Sequence, residues 1–340
     1  MTQTNYDSLI FTDPHFASAP IDEYRFQLFP QIADLITKHN IKRWFMLGDL
    51  TNAKDNHPAR LVNKIVSGLS GLARRAQGII LPGNHDGVGD IRYFEFMREI
   101  PGIAYIDSPV LWQADELQGC FIDWLFLPHS RDPLVDWNVD VSNKLVFTHI
   151  TVNDVSSEMG HKLKSSIGAD FFAKSRLTFS GDIHMPQQLD KVVYVGSPYN
   201  TRFGDQFEGG IVLFNSYEPE KFERVLLDFP RRYVVDVQSV QELEQKLSEL
   251  RPNSQLKVRL HFTLDNMNDW RKIQNDVIKY VREATNFQLC GVEPKRDFDK
   301  VLPQASAGKR QFLDFEVFCK NHQIPDDLKE FMSDIIKKVS

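Results

Sequence analysis

Ser8-Leu9-Ile10-Phe11-Thr12-Asp13-Pro14-His15 opens on a short apolar run and closes on a carboxylate and an imidazole one residue apart. Its first four residues read as a buried strand, too short for a helix and bounded by a turn-forming Asp-Pro pair. The same phrase recurs twice downstream. After a helical pattern over 21–39, the strand Arg43–Leu47 halts at Gly48-Asp49; after a second helix over 58–76, a strand over 78–81 halts at Pro82-Gly83-Asn84-His85-Asp86. The order is β-α-β-α-β. Apolar strands separated by helices pack as a largely parallel, covered sheet, so the fold class is α/β. In such sheets ligands bind beyond the carboxyl ends of the strands, and each of these three strands ends in ligand-type residues.

Working outward, two later strands behave the same way. Residues 145–148 run into His149, and residues 177–180 lead into Gly181-Asp182-Ile183-His184. Apolar, β-branched runs over 191–196 and Gly210–Phe214 complete the material of a first domain, 1–230. Residues 231–302 read as a smaller α/β domain. It has strands over 233–235, 256–262 and 287–290, and a helix opened by a capping box, Ser239 with Glu242, whose apolar positions are Val240, Leu243, Leu247 and Leu250. A second helix carries Trp270, Ile273, Val277 and Val281 on one stripe. A linker-like segment over 303–308 precedes a helical tail, 309–340, with Phe312, Phe315, Phe318, Phe331, Ile335 and Ile336 as its apolar positions.

Composition limits the class of protein. In 340 residues, 42% hydrophobic and 25% charged side chains are the proportions of a globular chain. The most apolar run, 120–128, contains Asp123 and falls short of the roughly 18 residues of a membrane helix, so no membrane association is expected. The first eleven residues lack the basic and apolar regions of a secretory signal. Cys120, Cys290 and Cys319 are odd in number and far apart, which fits reduced thiols in a cytoplasm. The net charge of −6 is unevenly spread. Residues 1–230 hold 21 Lys+Arg against 29 Asp+Glu (21 − 29 = −8), and residues 231–340 hold 19 against 17 (+2). An acidic chain disfavours non-specific nucleic-acid binding unless some of its acids hold cations.

Collected from the strand ends, the polar residues are Asp13, His15, Asp49, Asn84, His85, His149, Asp182 and His184. Carboxylate, imidazole and amide oxygen suit divalent metals such as manganese, iron and zinc. Two such cations roughly 3.5 to 4 Å apart can bind a phosphate oxygen, turn water into hydroxide and stabilise the charge of in-line displacement. That is the chemistry of phosphoester hydrolysis. Asp13-Pro14-His15, Gly48-Asp49, Gly83-Asn84-His85-Asp86, His149 and Gly181-Asp182-Ile183-His184, in that order, resemble the motif series of the calcineurin-like metallophosphoesterases. The resemblance covers about residues 6–215. It implies the sandwich fold of that family, with Asp13, His15, Asp49 and His184 holding one metal. Asp49 would bridge to a second metal held also by Asn84, His149 and Asp182. It further implies that His85 contacts the scissile phosphate and protonates the leaving oxygen, oriented by Asp86. Asp182 departs from the pattern, which usually has His there; the extra negative charge favours manganese or magnesium over zinc. Two divalent cations would offset about half of the −8 of the first domain.

Within the family, Tyr194-Val195-Gly196-Ser197-Pro198-Tyr199, followed by Arg202-Phe203-Gly204-Asp205 and Gly209-Gly210-Ile211-Val212, is similar to the segment after the metal motifs in SbcD-type nucleases, the prokaryotic and phage counterparts of the double-strand-break repair nuclease. That likeness implies a manganese-dependent DNA exo- or endonuclease in recombination and repair. It makes the 231–302 unit a DNA-capping domain and the tail a docking segment for an SbcC-type coiled-coil ATPase. It also implies a homodimer in the cytoplasm, the host's if the chain is phage-encoded. Where some relatives carry a further His after the G-D block, this chain has Asn52, with His57 five residues on. Two other readings stay open: a phosphatase or cyclic-nucleotide phosphodiesterase on the same fold, and a largely non-catalytic assembly subunit. His39, His129, His161, His261 and His322 match no block and read as surface or satisfied histidines. Lys162, Lys164, Arg231 and Arg232 read as solvated surface that can touch a phosphate backbone.

Overall fold

The opening phrase of the chain forms the strand Ser8–Phe11, buried along its whole length. In this computed structural model, which describes residues 6–89, 91–114, 121–158, 160–262 and 269–296, that strand lies third in a six-stranded sheet. Arg43–Leu47, Gln77–Leu81 and Ile103–Tyr105 follow it in parallel; Gly210–Phe214 and Glu223–Leu226 complete the other side as antiparallel strands. A second six-stranded sheet runs in the order Gln187–Leu189, Val192–Tyr194, Leu177–Gly181, Leu145–His149, Trp124–Leu127 and Val110–Trp112, parallel at its centre and antiparallel at both ends. The fold is mixed α/β, as the strand and helix order implies.

Side-chain alternation decides what each face meets. Ile10, Phe45, Leu47, Ile79 and Leu81 of the first sheet share one apolar layer with Trp124, Phe126, Leu145, Phe147 and Phe179 of the second. Phe45 and Phe147 stack across that layer with centroids 4.4 Å apart. The opposite residues, Leu9, Phe11, Trp44 and Met46, pack under the helices Leu28–His39 and Ala59–Ala73. Outward-facing Leu125, Leu127 and Val146 of the second sheet are covered by Trp137, Val152, Ile167 and Phe172 from its loops. Burying each such large side chain contributes roughly 1.5 to 3 kcal/mol.

Several elements differ from the sequence reading. The single helix expected over 21–39 is a 3-10 helix, Pro20–Gln27, followed by the α-helix Leu28–His39. Pro30 supplies the reason: it has no N–H for the preceding turn and is tolerated only in the first turn of a new helix. The short strands Ile103–Tyr105, Val110–Trp112 and Trp124–Leu127 have too few residues to show a period and were not expected, though the third lies within the apolar run over 120–128.

Residues from 231 on build a three-stranded sheet, Arg232–Val237, Gln255–Phe262 and Gln288–Arg296, with the first pair parallel. Two helices accompany it, Val240–Ser248 and Trp270–Ala284. The expected capping box forms: Ser239 Oγ accepts from the Glu242 N–H at 3.2 Å, while the Glu242 carboxylate accepts from the Gln238 N–H at 2.8 Å. By contacts, the described residues up to 260 together with 271–293 form one compact unit. The expected tail over 309–340 lies outside the described residues. Among the described residues no helix is long and apolar enough to cross a membrane.

Phe147 touches the rings of Phe45, Trp124, Phe126, Phe179 and Phe214. Phe147→Ala is expected to destabilise the fold by about 3 to 5 kcal/mol, read from the guanidinium unfolding midpoint. A loss below about 0.5 kcal/mol would show that this layer does not hold the sheets together.

Candidate metal centre

Every strand that the sequence ended on a ligand-type residue delivers that residue to one edge of the two sheets. The chain does so through unusual backbone. Asp13, His15, Asp49 and Asp182 have φ of 51°, 41°, 57° and 79°, in the left-handed region that L-residues seldom occupy. Backbone bonds pin these turns to one another: the Asp13 N–H donates to the Gly48 carbonyl at 3.1 Å, and the His15 N–H to that of Asp49 at 3.1 Å. Glycine is required beside them for close approach. A Cβ on Gly83 would lie 2.3 Å from Asp49 Oδ1, and one on Gly48 would lie 2.2 Å from His149 Nδ1.

His149 is fully buried, and its Nδ1 sits 2.6 Å from the Leu47 carbonyl oxygen, which can only accept. Nδ1 therefore carries a proton, and in the neutral ring Nε2 would present a lone pair. That nitrogen has no hydrogen-bond partner and faces Asp49 Oδ1 at 3.4 Å and Asp182 Oδ1 at 3.7 Å. His15 and His184 meet through their Nε2 atoms at 3.1 Å, with Asp49 Oδ2 3.5 Å from the first and Asp13 Oδ1 3.9 Å from the second. Three sets, Asp13–His15–His184, His15–Asp49–His85 and Asp13–Asp49–His149, each bring their donor atoms within 4.8 Å of one another. Asp182 belongs to none of the three. One of its oxygens accepts from Thr151 Oγ1 at 2.5 Å and the other turns toward His149. Asn84 lines the same cleft, its Oδ1 buried without a partner.

Burial is the main electrostatic influence here. It raises the Asp13 and Asp49 carboxyls well above the usual carboxylate range, and neighbouring acids push the same way. It lowers His15 far below the ordinary histidine value, and His184 to about 4. Converging oxygen and imidazole donors, with the innermost nitrogen and an amide oxygen left unpaired, fit divalent cations.

The orienting contact expected from Asp86 to His85 is not made. Asp86 is buried, and its carboxylate accepts from the backbone N–H groups of Gly83 and Asp49 at 2.8 Å and of Leu50 at 2.9 Å. With those bonds it shapes the turn that carries Asp49. His85 is held instead by the Asn52 backbone carbonyl, 3.1 Å from Nδ1, and its Nε2 lies 4.0 Å from Asp49 Oδ2. Asn52 thus acts through its main chain. His57 bonds Thr51 at 2.7 Å and packs on the Tyr93 ring at 3.9 Å.

The donors open into a cleft of about 790 Å³. Several of its residues had no signal in the sequence because isolated polar residues in loops form no pattern. Thr201 Oγ1 stands 2.9 Å from His184 Nδ1, with Glu158 Oε1 3.6 Å away. Arg232, read as solvated surface, is buried: it pairs with Asp22 and donates to the Thr201 carbonyl at 2.8 Å. Arg25 also pairs with Asp22, at 2.9 Å, and donates to the His15 carbonyl. The segment over 194–199 braces the first ligand turn. Ser197 Oγ donates to the Asp13 carbonyl at 2.8 Å and Tyr199 OH to that of Pro14 at 2.5 Å.

No family model matches the chain, and no curated protein matches it. Among solved structures, the chain is similar to the crystal structure of Pseudomonas putida nuclease MPE, with 12% identity over 65% of this chain and 88% of that one and a TM-score of 0.30. So slight a likeness carries no argument, and the chemistry of the centre is read from its own donors.

A divalent cation that fills this centre, supplied at a hundred times its dissociation constant, is expected to stabilise the protein by about 2.7 kcal/mol, seen as a rise in melting temperature. Asp49→Asn, which suits the same backbone but removes a charge, should retain the fold and lose that rise. An unchanged rise in this variant would remove Asp49 from the ligand set.

Proposed function

We propose that the chain is a metal-dependent phosphodiesterase of the calcineurin-like type, cleaving DNA as an SbcD-type nuclease with two divalent cations, manganese or magnesium. The observation that carries this reading is the unpaired Nε2 of His149 facing two carboxylates at the meeting point of Asp13, His15, Asp49 and His184. Bound divalent cations would supply Lewis-acid activation of water and neutralise phosphate charge. The chain's own residues supply the rest. Asp13, His15, Asp49, Asn84, His149, Asp182 and His184 are the proposed ligands. His85, anchored through Nδ1–H to the Asn52 carbonyl, keeps Nε2 on the cleft side, and as the imidazolium, protonated at both nitrogens, it would donate the Nε2 proton to the leaving oxygen. Arg202 and Arg259 line the cleft, are exposed and form no ion pair with a described residue, so both are available to phosphates of a long substrate. A polymer with little base readout suits such contacts. Docking of an SbcC-type ATPase by the segment over 309–340 belongs to the same proposal.

Manganese-dependent cleavage of duplex DNA, assayed beside bis(p-nitrophenyl) phosphate, tests the reading. His85→Ala is expected to lower kcat on DNA by about 10² to 10⁴ while leaving the manganese-induced rise in melting temperature intact. Hydrolysis of the small ester with none of DNA would overturn the nuclease assignment in favour of a phosphatase or cyclic-nucleotide phosphodiesterase. Undiminished DNA cleavage by His85→Ala would overturn the proton-donor role.

A further inference from the structure

Next to the metal cleft, and sharing Asn84 with it, lies a second concavity of about 250 Å³. Three cationic side chains line it: Lys54, Arg92 and Arg131. Lys54 and Arg131 are exposed and form no ion pair with a described residue; Arg92 is half-buried and donates to the His129 carbonyl at 3.4 Å. Among the described residues the one acid on the wall is Asp136, which already accepts from Ser130 Oγ at 2.5 Å. One wall is the short hairpin of Gly87–Val88 and Ile91–Arg92, where Gly87 and Gly89 leave main chain facing the hollow. His129 joins the hollow to the centre, its Nδ1 3.3 Å from the carbonyl of His149. Counted over the described lining residues, three cations stand against one carboxylate, a net charge of +2. A hollow this small and this cationic fits a phosphate group better than a base or a sugar, because guanidinium and ammonium groups reward tetrahedral oxyanions with charge-assisted hydrogen bonds.

We propose that this side pocket binds a second phosphate group of the substrate, adjacent to the one hydrolysed, so that the protein favours phosphodiesters carrying a neighbouring or terminal phosphate over isolated ones. The position of this phosphate beside the hydrolysed ester rests on the phosphodiesterase reading; the phosphate site itself does not depend on cleavage. The pocket acts by position. A phosphate held there fixes which neighbouring ester enters the cleft past Asn84, and its contribution appears in KM more than in kcat.

The test uses thymidine dinucleotides with no terminal phosphate, a 5′-phosphate or a 3′-phosphate, titrated calorimetrically into the full chain in EDTA, where no cation contributes. At least one phosphorylated dinucleotide is expected to bind about tenfold more tightly than the unphosphorylated one. That advantage should vanish in Lys54→Ala/Arg131→Ala, whose changes lie at exposed positions and leave the melting temperature unaltered. With manganese, the same variant should raise KM for the preferred dinucleotide about tenfold and leave bis(p-nitrophenyl) phosphate hydrolysis unchanged. Equal affinity for all three dinucleotides, or an advantage that survives the double substitution, would overturn the pocket. Phosphate-dependent binding in EDTA without any manganese-dependent cleavage would instead overturn the phosphodiesterase reading and leave the phosphate site standing.

Discussion

Two buried carboxylates and three imidazoles, turned inward, bring their oxygen and nitrogen atoms together in sets that could hold a metal ion. Asp13, Asp49, His15, His149 and His184 have given up water to reach this arrangement, and desolvation penalises any uncompensated charge there. Protons can relieve the strain, which is why burial drives the Asp13 and Asp49 carboxyls toward their neutral forms. Cations would relieve it better, because one ion can satisfy several donors at once. The rest of the molecule can be understood as scaffolding for this otherwise unfavourable meeting.

That scaffolding is rigid where it matters. A layer of stacked phenylalanines locks the two sheets together, and the parallel strands of both release their carboxyl ends at one edge. The turns there are tied by main-chain bonds and by hidden side chains. Asp86 gathers three backbone N–H groups of the Gly48 and Gly83 turns, and Ser197 and Tyr199 hold the turn of Asp13 and Pro14. Arg25, Asp22 and Arg232 extend the same bracing to the first strand of the C-terminal sheet, linking it to His15 and Thr201.

Strand ends were legible in the sequence because each paired a strong apolar run with a polar stop, as in Ser8–Phe11 before Asp13 and Leu177–Gly181 before Asp182. The capping box at Ser239 was legible for a similar reason: two residues at fixed spacing perform one local task. What stayed hidden acts across long separations. Nothing in the spacing of Asp22 and Arg232 announces that they form a buried pair, and nothing in Gly83-Asn84-His85-Asp86 tells that the last residue faces the backbone of another turn and not the imidazole beside it. Short strands such as Val110–Trp112 are set by partners already in place, so their own residues carry too little pattern to be seen.

Left-handed backbone at Asp13, His15, Asp49 and Asp182 limits which substitutions these positions can accept. Aside from glycine, the residues that enter that region most readily are Asn, Asp and His. Those are also side chains with oxygen or nitrogen donors of the right reach. Conformation and coordination therefore screen amino acids by nearly the same criterion, so a replacement that the main chain accepts tends to remain a ligand.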